Sequence, residues 1–220
     1  RSALRNMGDL APANGEALVY GGVVNPAALV FDCDGTLVDT MGPFLIADQQ
    51  TCAEFGMTMS VKQFYDLAGV PIREIFAILA REQNKNPDLD AMAARCKTLA
   101  DDLMKDGPEM IAPVVAIARN AFANKIPIAV ASSGVKPTVT HHLKLHGIFH
   151  LFQAVVTIDD VENGKPAPDL YLLAAKKLGV DPTKCVAYED AELGMESARR
   201  AGMAVVDVRD MQGVPDPRKG

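Results

Sequence analysis

The sequence has 220 residues, 49% of them hydrophobic, and carries a formal net charge of −6 at pH 7. A chain of this length and composition can bury a full hydrophobic core, in one domain or in one and a half. The acidic balance disfavours binding to nucleic acid or to an anionic membrane surface, and no apolar run is long enough to cross a bilayer. We therefore expect a compact, monomeric enzyme or binding protein whose partner is neither a nucleic acid nor a membrane.

The two ends of the sequence and its cysteines indicate the setting rather than the chemistry. Residues 1–21 are rich in small side chains without periodicity, so we expect a loosely attached arm, with a remnant of a targeting peptide as the alternative. Residues 213–220 are expected to form a short tail. The cysteines lack the C-x-x-C spacing of a zinc or redox site, which predicts a reducing compartment, the cytoplasm, with an organelle as the alternative. They are Cys33, Cys52, Cys96 and Cys185.

Five short apolar runs predict the strands of a parallel sheet. They lie at 27–31 (AALVF), 126–131 (IPIAVA), 154–158 (AVVTI), 185–189 (CVAYE) and 203–208 (MAVVDV). Continuous apolar runs suit strands that are covered on both faces, and the helical stretches between them are closed by Gly147, Gly179 and Gly202. This alternation predicts a Rossmann-like, doubly wound α/β core domain made of residues 22–40 and 107–212.

Residues 41–106 follow a different pattern, with no convincing strand. Apolar side chains recur at helical spacing between Ile72 and Leu79 and again between Leu89 and Leu103, and the stretch PFLIADQQTCAEFG predicts a further helix. We predict an inserted α-helical cap domain. Open α/β sheets bind their ligands at the carboxyl ends of the strands, so we expect the cap to lie there as a lid.

Polar residues follow the predicted strands at this same edge of the sheet. Asp32 and Asp34 come directly after the first strand, in FDCDGTLVDT. The later strands run into SSGVKP, NGKPAPD and YEDAELG, which add hydroxyls, one lysine and more carboxylates. Oxygen ligands of this kind suit Mg²⁺, while loop amides, a helix start and a lysine suit a phosphate group. The pattern predicts a site for a metal and a phosphate.

Each motif taken alone has a simpler structural explanation. The DxDGT stretch is a common turn, SSG an ordinary strand-to-helix connection, and Lys165 a possible solvated lysine. Four such motifs in order at strand ends favour the functional interpretation. Glu192 keeps a structural one, as an acid at a helix start, and Cys33 is expected to face the core. The histidines are interpreted as structural or surface residues; they are His141, His142, His146 and His150.

The sequence resembles the haloacid dehalogenase superfamily, in its β-phosphoglucomutase-like branch of sugar-phosphate phosphatases. The resemblance is carried by DCDGTLVDT, by the strand end at Ser132, by Lys165 in GKPAPD and by YEDAELGMESARRAG. It implies that Asp32 is a nucleophile that forms an aspartyl-phosphate. It also implies that Asp34 is the general acid that protonates the leaving alcohol and the general base that then activates water.

The same resemblance implies how metal and phosphate are held. Mg²⁺ is expected on the Asp32 carboxylate, the Asp34 backbone carbonyl and Asp190, with Glu189 as a direct or water-mediated supporter. The phosphoryl oxygens are expected on a second group of residues: Ser132, the Ser133 amide and Lys165. The implied activity is that of a Mg²⁺-dependent phosphoric monoester hydrolase acting on a small phosphorylated metabolite, expected to be a sugar or polyol phosphate.

Two alternatives remain open: a β-phosphoglucomutase-like phosphosugar mutase, and a catalytically silent member that binds such a ligand or a protein partner. A mutase must grip a second phosphate with groups of the cap. Where β-phosphoglucomutase has a histidine, a lysine and an arginine for this task, the sequence has Phe44, Ala68 and Ile72. Arg73, one position beyond the expected arginine, is the remaining basic candidate, and it is interpreted as a solvated residue in the first turn of a helix. Because the cap then lacks a grip for a second phosphate, we expect a phosphatase.

Overall fold

The computed structural model describes residues 19–68 and 70–211, and it divides them into two compact units, 19–39 with 110–211 and 40–68 with 70–109. The strands of the described chain are β1 (Val19–Tyr20), β2 (Val23–Val24), β3 (Ala28–Phe31), β4 (Val38–Asp39), β5 (Glu109–Met110), β6 (Ile128–Ala131), β7 (Ala154–Val156), β8 (Cys185–Glu189) and β9 (Ala204–Asp207). Its helices are α1 (Met41–Glu54), α2 (Val61–Asp66), α3 (Ile72–Glu82), α4 (Leu89–Leu103), α5 (Ala112–Ala123), α6 (Lys136–Leu145), α7 (Asp169–Leu178) and α8 (Glu192–Arg200).

The first unit is built on a five-stranded parallel sheet with the strand order β7-β6-β3-β8-β9. Side chains of the central strands alternate between two buried clusters. Leu29 and Phe31 pack on the face that α5 and α6 cover, and Ala28 and Val30 pack on the face that α7 and α8 cover. The doubly wound α/β fold predicted from the sequence is confirmed.

The register brings the carboxyl ends of three neighbouring strands to one level. Phe31, the last residue of β3, lies opposite Val130 of β6 and Tyr188 of β8. The polar residues that follow these strands therefore begin at the same edge of the sheet. Each of the five apolar runs contains one strand of the sheet. β6 starts later than its run, at Ile128, because Pro127 has no amide N–H to donate.

The described chain starts within the segment expected to be an arm. There β1 and β2 form a short antiparallel hairpin in which Val19 lies opposite Val24, and the turn uses two glycines with positive φ, Gly21 and Gly22. Tyr20 is buried, and its hydroxyl donates to Asn120 Oδ1 at 2.7 Å. The expectations for residues 1–18 and 213–220 lie outside the described residues.

The second unit is helical, as the spacing of its apolar residues predicts. α4 packs against α1 and α3, around large buried side chains such as Phe76, Leu79 and Met92. One buried side chain of α1 is acidic: Asp48 accepts a hydrogen bond from Cys96 Sγ at 3.0 Å, and burial raises its pKa to about 6. The function of this unit as a cap remains a prediction. None of the described helices is long and apolar enough to span a membrane.

Candidate active site

The first motif forms a tight loop after β3. The amide of Asp32 continues the ladder with β8 by donating to Tyr188 O at 3.0 Å, and the residue is buried. Immediately afterwards the chain turns, because the Cys33 carbonyl accepts from the amides of Leu37 and Val38 at 2.8 and 3.1 Å. This turn ends the strand with the Asp32 carboxylate held at the edge of the sheet.

Lys165 reaches this carboxylate from the loop between β7 and α7. Its Nζ donates to Asp32 Oδ1 at 2.6 Å and also to Glu189 Oε1, and its side chain is buried. Burial opposes a charge on Lys165, but the Asp32 and Glu189 carboxylates outweigh burial and raise the pKa of the ammonium group. The lysine therefore stays protonated, as a positive charge fixed beside Asp32.

The loop that carries Lys165 is held in place by α8. Ser197 is fully buried and its hydroxyl donates to the Ala167 carbonyl at 2.5 Å. Arg200 Nη1 donates to the Pro166 carbonyl at 3.3 Å. Both acceptors lie within two residues of Lys165, so the helix that follows the acidic motif also positions the lysine.

Glu189, the last residue of β8, is surrounded by donors. Its Oε1 accepts from Lys165 Nζ and from Tyr171 OH at 2.9 Å, and its Oε2 accepts from the amides of Asp190 and Ala191 at 3.1 and 3.2 Å. The Tyr171 ring also lies 5.3 Å from Lys165 Nζ, a cation–π distance. In this arrangement Glu189 balances and orients Lys165.

Two neighbours of Glu189 were not found from the sequence. Tyr171 lies on the buried, apolar face of α7, and the sequence pattern of that helix does not indicate that its hydroxyl makes a hydrogen bond. Gly194 lies within α8, where a Cβ would collide with the Glu189 carboxylate. A glycine inside a helix costs about 1 kcal/mol relative to alanine, and this cost was the only sequence signal that could have indicated a close contact there.

Asp190 lies against the first motif. It is 6% exposed, and its Oδ1 accepts from Thr36 Oγ1 at 3.3 Å. Gly35 faces the same carboxylate with a φ of +82°, and a Cβ at Gly35 would collide with Asp190 Oδ2. Only glycine satisfies both the backbone conformation and the space, which explains the glycine of the DxDGT motif.

The three carboxylates of this cluster, Asp32, Glu189 and Asp190, fit a divalent cation. Each offers an oxygen within 4.8 Å of the others, and all three are buried. One lysine cannot neutralise three buried carboxylates, and burial raises the pKa of Asp32 against the opposing effect of Lys165. Oxygen ligands with excess negative charge are the arrangement that hard divalent cations occupy.

Ser132 and Asp34 both lie near Gly134. Ser132 is fully buried after β6, and its Oγ accepts from the Gly134 amide at 2.9 Å. A Cβ placed on Gly134 would lie 3.2 Å from both Asp34 Oδ2 and Ser132 Oγ, so these two side chains flank the same glycine. Ser133 is exposed. The structure thus joins Asp32, Lys165 and Glu189 by hydrogen bonds, places the Asp190 carboxylate within 4.8 Å of the other two carboxylates, and brings Asp34 and Ser132 to the two sides of Gly134.

Comparison with known proteins identifies the family. The family model described as haloacid dehalogenase-like hydrolase matches residues 29–208. The chain belongs to the haloacid dehalogenase-like hydrolases. As with its phosphatase relatives, its activity is that of a phosphoric monoester hydrolase.

Two curated relatives and one solved structure resemble the chain over most of their length. It is 34% identical to the fructose-1-phosphate phosphatase YqaB of Escherichia coli over 184 residues, which cover 83% of this chain and 96% of that one. It is 29% identical to a phosphorylated carbohydrates phosphatase of Thermotoga maritima, over 80% of this chain and 82% of that one. The crystal structure of β-phosphoglucomutase from Clostridium difficile has the same fold, with a TM-score of 0.70 at 23% identity over 83% of this chain and 84% of that one.

Proposed function

We propose that the chain is a Mg²⁺-dependent phosphatase that hydrolyses a small phosphorylated metabolite, a sugar or polyol phosphate, through an aspartyl-phosphate on Asp32. The observation that carries the proposal is the Asp32 carboxylate, buried at a strand end and paired with Lys165 at 2.6 Å beside the buried carboxylate of Asp190. Relatives named as phosphatases of fructose 1-phosphate and of phosphorylated carbohydrates support this substrate class.

Mg²⁺ would be held by the Asp32 carboxylate, the Asp34 backbone carbonyl and Asp190, with Glu189 as a supporter. The buried oxygen donors of this cluster suit a hard cation. When bound, the ion supplies positive charge against the repulsion between an attacking carboxylate and a phosphate, roughly 4 kcal/mol for unit charges 4 Å apart at an effective dielectric constant of about 20.

In the first half-reaction an Asp32 carboxylate oxygen attacks the phosphorus atom, and the bond between phosphorus and the alcohol oxygen breaks. Asp34 donates a proton to that oxygen, so the alcohol leaves neutral. Lys165, the Ser132 hydroxyl and the Ser133 amide hold the phosphoryl oxygens that do not react. The position of Lys165 Nζ beside Asp32 supports this role, because an incoming phosphoryl oxygen would lie near both.

In the second half-reaction Asp34 takes a proton from water, whose oxygen attacks phosphorus. The bond between phosphorus and Asp32 breaks, phosphate leaves, and the Asp32 carboxylate is restored. The exposure of the two side chains supports this division of labour. Asp34 is 26% exposed and can exchange protons with substrate and water, whereas Asp32 is 7% exposed and is held by Lys165.

The remaining proposals concern the setting of this chemistry. We propose that residues 41–106 form the cap, that 22–40 with 107–212 form the core domain, and that the enzyme is a cytoplasmic monomer. The cysteines that the structure describes are all free and buried, as expected in a reducing compartment.

Turnover of a panel of metabolite phosphates, with and without Mg²⁺, tests the proposal. Asp32→Asn should abolish phosphate release while the fold remains intact, because the change removes the attacking charge but keeps the shape. Asp34→Asn should lower the rate by about 10² to 10⁴ through loss of proton transfer. Glu192→Gln is the matched control, because Glu192 makes an exposed ion pair with Arg209. A purified protein that is silent on the whole panel would favour the binding-protein alternative.

The sequence does not have the basic residues that a mutase would use to hold a second phosphate. Phe44 and Ile72 stand where a mutase of this branch has a histidine and an arginine. The remaining candidate, Arg73, is exposed and makes an ion pair with Asp90 through Nε at 2.6 Å, within the helical unit. Phosphorus NMR distinguishes the two reactions. A phosphatase releases inorganic phosphate directly, whereas an isomeric sugar phosphate that accumulates first would establish a mutase.

A further inference from the structure

A second cluster of potential metal ligands lies beside the proposed acid and base. Cys33, Asp34 and His142 each offer one ligand atom, and the three atoms lie within 4.8 Å of one another. Within the cluster, His142 Nδ1 is 4.0 Å from Asp34 Oδ1, too far for a hydrogen bond. Cys33 and His142 are buried, and Asp34 is partly exposed.

The imidazole of His142 gives an independent indication of a ligand. Its side chain is 5% exposed, and among the described residues its Nδ1 has no hydrogen-bond partner. A buried polar atom without a partner costs about 1–3 kcal/mol, and such atoms in a native protein usually have a reason, of which an ion is one. The atom belongs to α6, and it faces the loop that carries the DxDGT motif.

The donor chemistry differs from that of the Asp32 cluster. A thiol, an imidazole and a carboxylate make a sulfur, nitrogen and oxygen set, which suits Zn²⁺ and not Mg²⁺. Zinc bonds of about 2.0–2.3 Å place tetrahedral ligand atoms roughly 3.5 Å apart. Ligand atoms that now lie within 4.8 Å of one another therefore need to approach by at most about 1.3 Å, and the partly exposed side of Asp34 leaves the fourth position to water.

We propose that Cys33, Asp34 and His142 form an inhibitory site for Zn²⁺, which uses the carboxylate of Asp34, whereas the proposed Mg²⁺ site uses only its backbone carbonyl. Binding releases the thiol proton of Cys33 to solvent and leaves a sulfur–zinc bond. It also ties down the Asp34 carboxylate, so that this group can neither give a proton to the leaving alcohol nor take one from water. The inhibition rests on the proposed function, but the binding does not.

Cobalt provides a readout that is independent of activity, because Co²⁺ bound to a thiolate absorbs in the near ultraviolet. With Mg²⁺ at saturation, we expect this band in the wild-type protein at one Co²⁺ per chain and its displacement by Zn²⁺. Cys33→Ala and His142→Leu should lose it. Cys185→Ala is the matched control, because Cys185 is also a buried thiol, at the start of β8, and should keep the band. Circular dichroism verifies that each variant is folded.

Inhibition is then measured by titrating Zn²⁺ against phosphatase activity at saturating Mg²⁺. Cys33→Ala should need at least ten times more Zn²⁺ than the wild type for half-inhibition, and additional Mg²⁺ should not relieve the inhibition. A band that is absent in the wild type, or that persists in Cys33→Ala, overturns the site. If additional Mg²⁺ relieves the inhibition by Zn²⁺ equally in wild type and in Cys33→Ala, Zn²⁺ inhibits at the Mg²⁺ site and the proposal is wrong. If the protein has no phosphatase activity, the Co²⁺ absorption band still shows whether a metal binds to Cys33, Asp34 and His142.

Discussion

Asp48 gives the helical unit a dependence on pH that the structure allows to be worked out. Asp48 is 4% exposed, its carboxylate accepts a hydrogen bond from the Cys96 thiol at 3.0 Å, and burial raises its pKa from 3.8 to about 6. The folded protein therefore holds the proton of Asp48 up to a higher pH than the unfolded chain does. Replacing the carboxyl group by an amide, in Asp48→Asn, removes the titration while keeping the shape.

The sign and size of the effect follow from proton linkage. As the pH rises through 3.8 the unfolded chain loses the proton first, so this group destabilises the folded protein increasingly until about pH 6, above which both states are ionised. A pKa of Asp48 that is higher by about 2 in the folded protein corresponds to a loss of about 3 kcal/mol in the free energy of unfolding. Roughly half of this loss arises between pH 5 and pH 7.5. Relative to wild type, Asp48→Asn should therefore gain about 1.5 kcal/mol in free energy of unfolding over that range.

Urea unfolding followed by far-ultraviolet circular dichroism, at pH values from 5 to 7.5, measures this difference. Asp102→Asn is the matched control, because it makes the same change of carboxylate to amide at an exposed position of α4. If the free energies of unfolding of Asp48→Asn and wild type differ by the same amount at pH 5 and at pH 7.5, burial does not raise the pKa of Asp48 as we infer.

Three further predictions concern the site. Tyr171→Phe removes the hydroxyl that donates to Glu189, so urea unfolding should show a loss of about 1–3 kcal/mol, and an unchanged midpoint would contradict this contact. Gly194→Ala should lower the phosphatase rate at least tenfold, because its Cβ displaces the Glu189 carboxylate, whereas Gly42→Ala, at an open position in α1, should leave the rate unchanged. Mg²⁺ at 100 times its dissociation constant should raise the free energy of unfolding by about 2.7 kcal/mol, reversibly with a chelator, and Asp190→Asn should abolish the gain.

The sequence determined the elements of the fold and the order of the motifs, because both depend on local chemistry. Continuous apolar runs of five or six residues suit strands covered on both faces, and glycines end the helices between them. The five runs therefore located the parallel sheet, and the register of β3 with β6 and β8 brought the polar residues after them to one edge. The pairing of Lys165 with Asp32 could be anticipated in this way, although 133 positions separate them.

The tertiary structure decided which side chains complete the site, because these contacts depend on helix rotation and on packing. From the sequence, Tyr171 is one more large residue on the apolar face of a helix. The packing of α7 brings its hydroxyl to Glu189, to which it donates a hydrogen bond. Cys33 and His142 read as structural residues until the turn after β3 and the face of α6 place them around Asp34. A periodic pattern shows which side of a helix is buried, but the atom that a buried polar group meets is fixed only when the elements pack together.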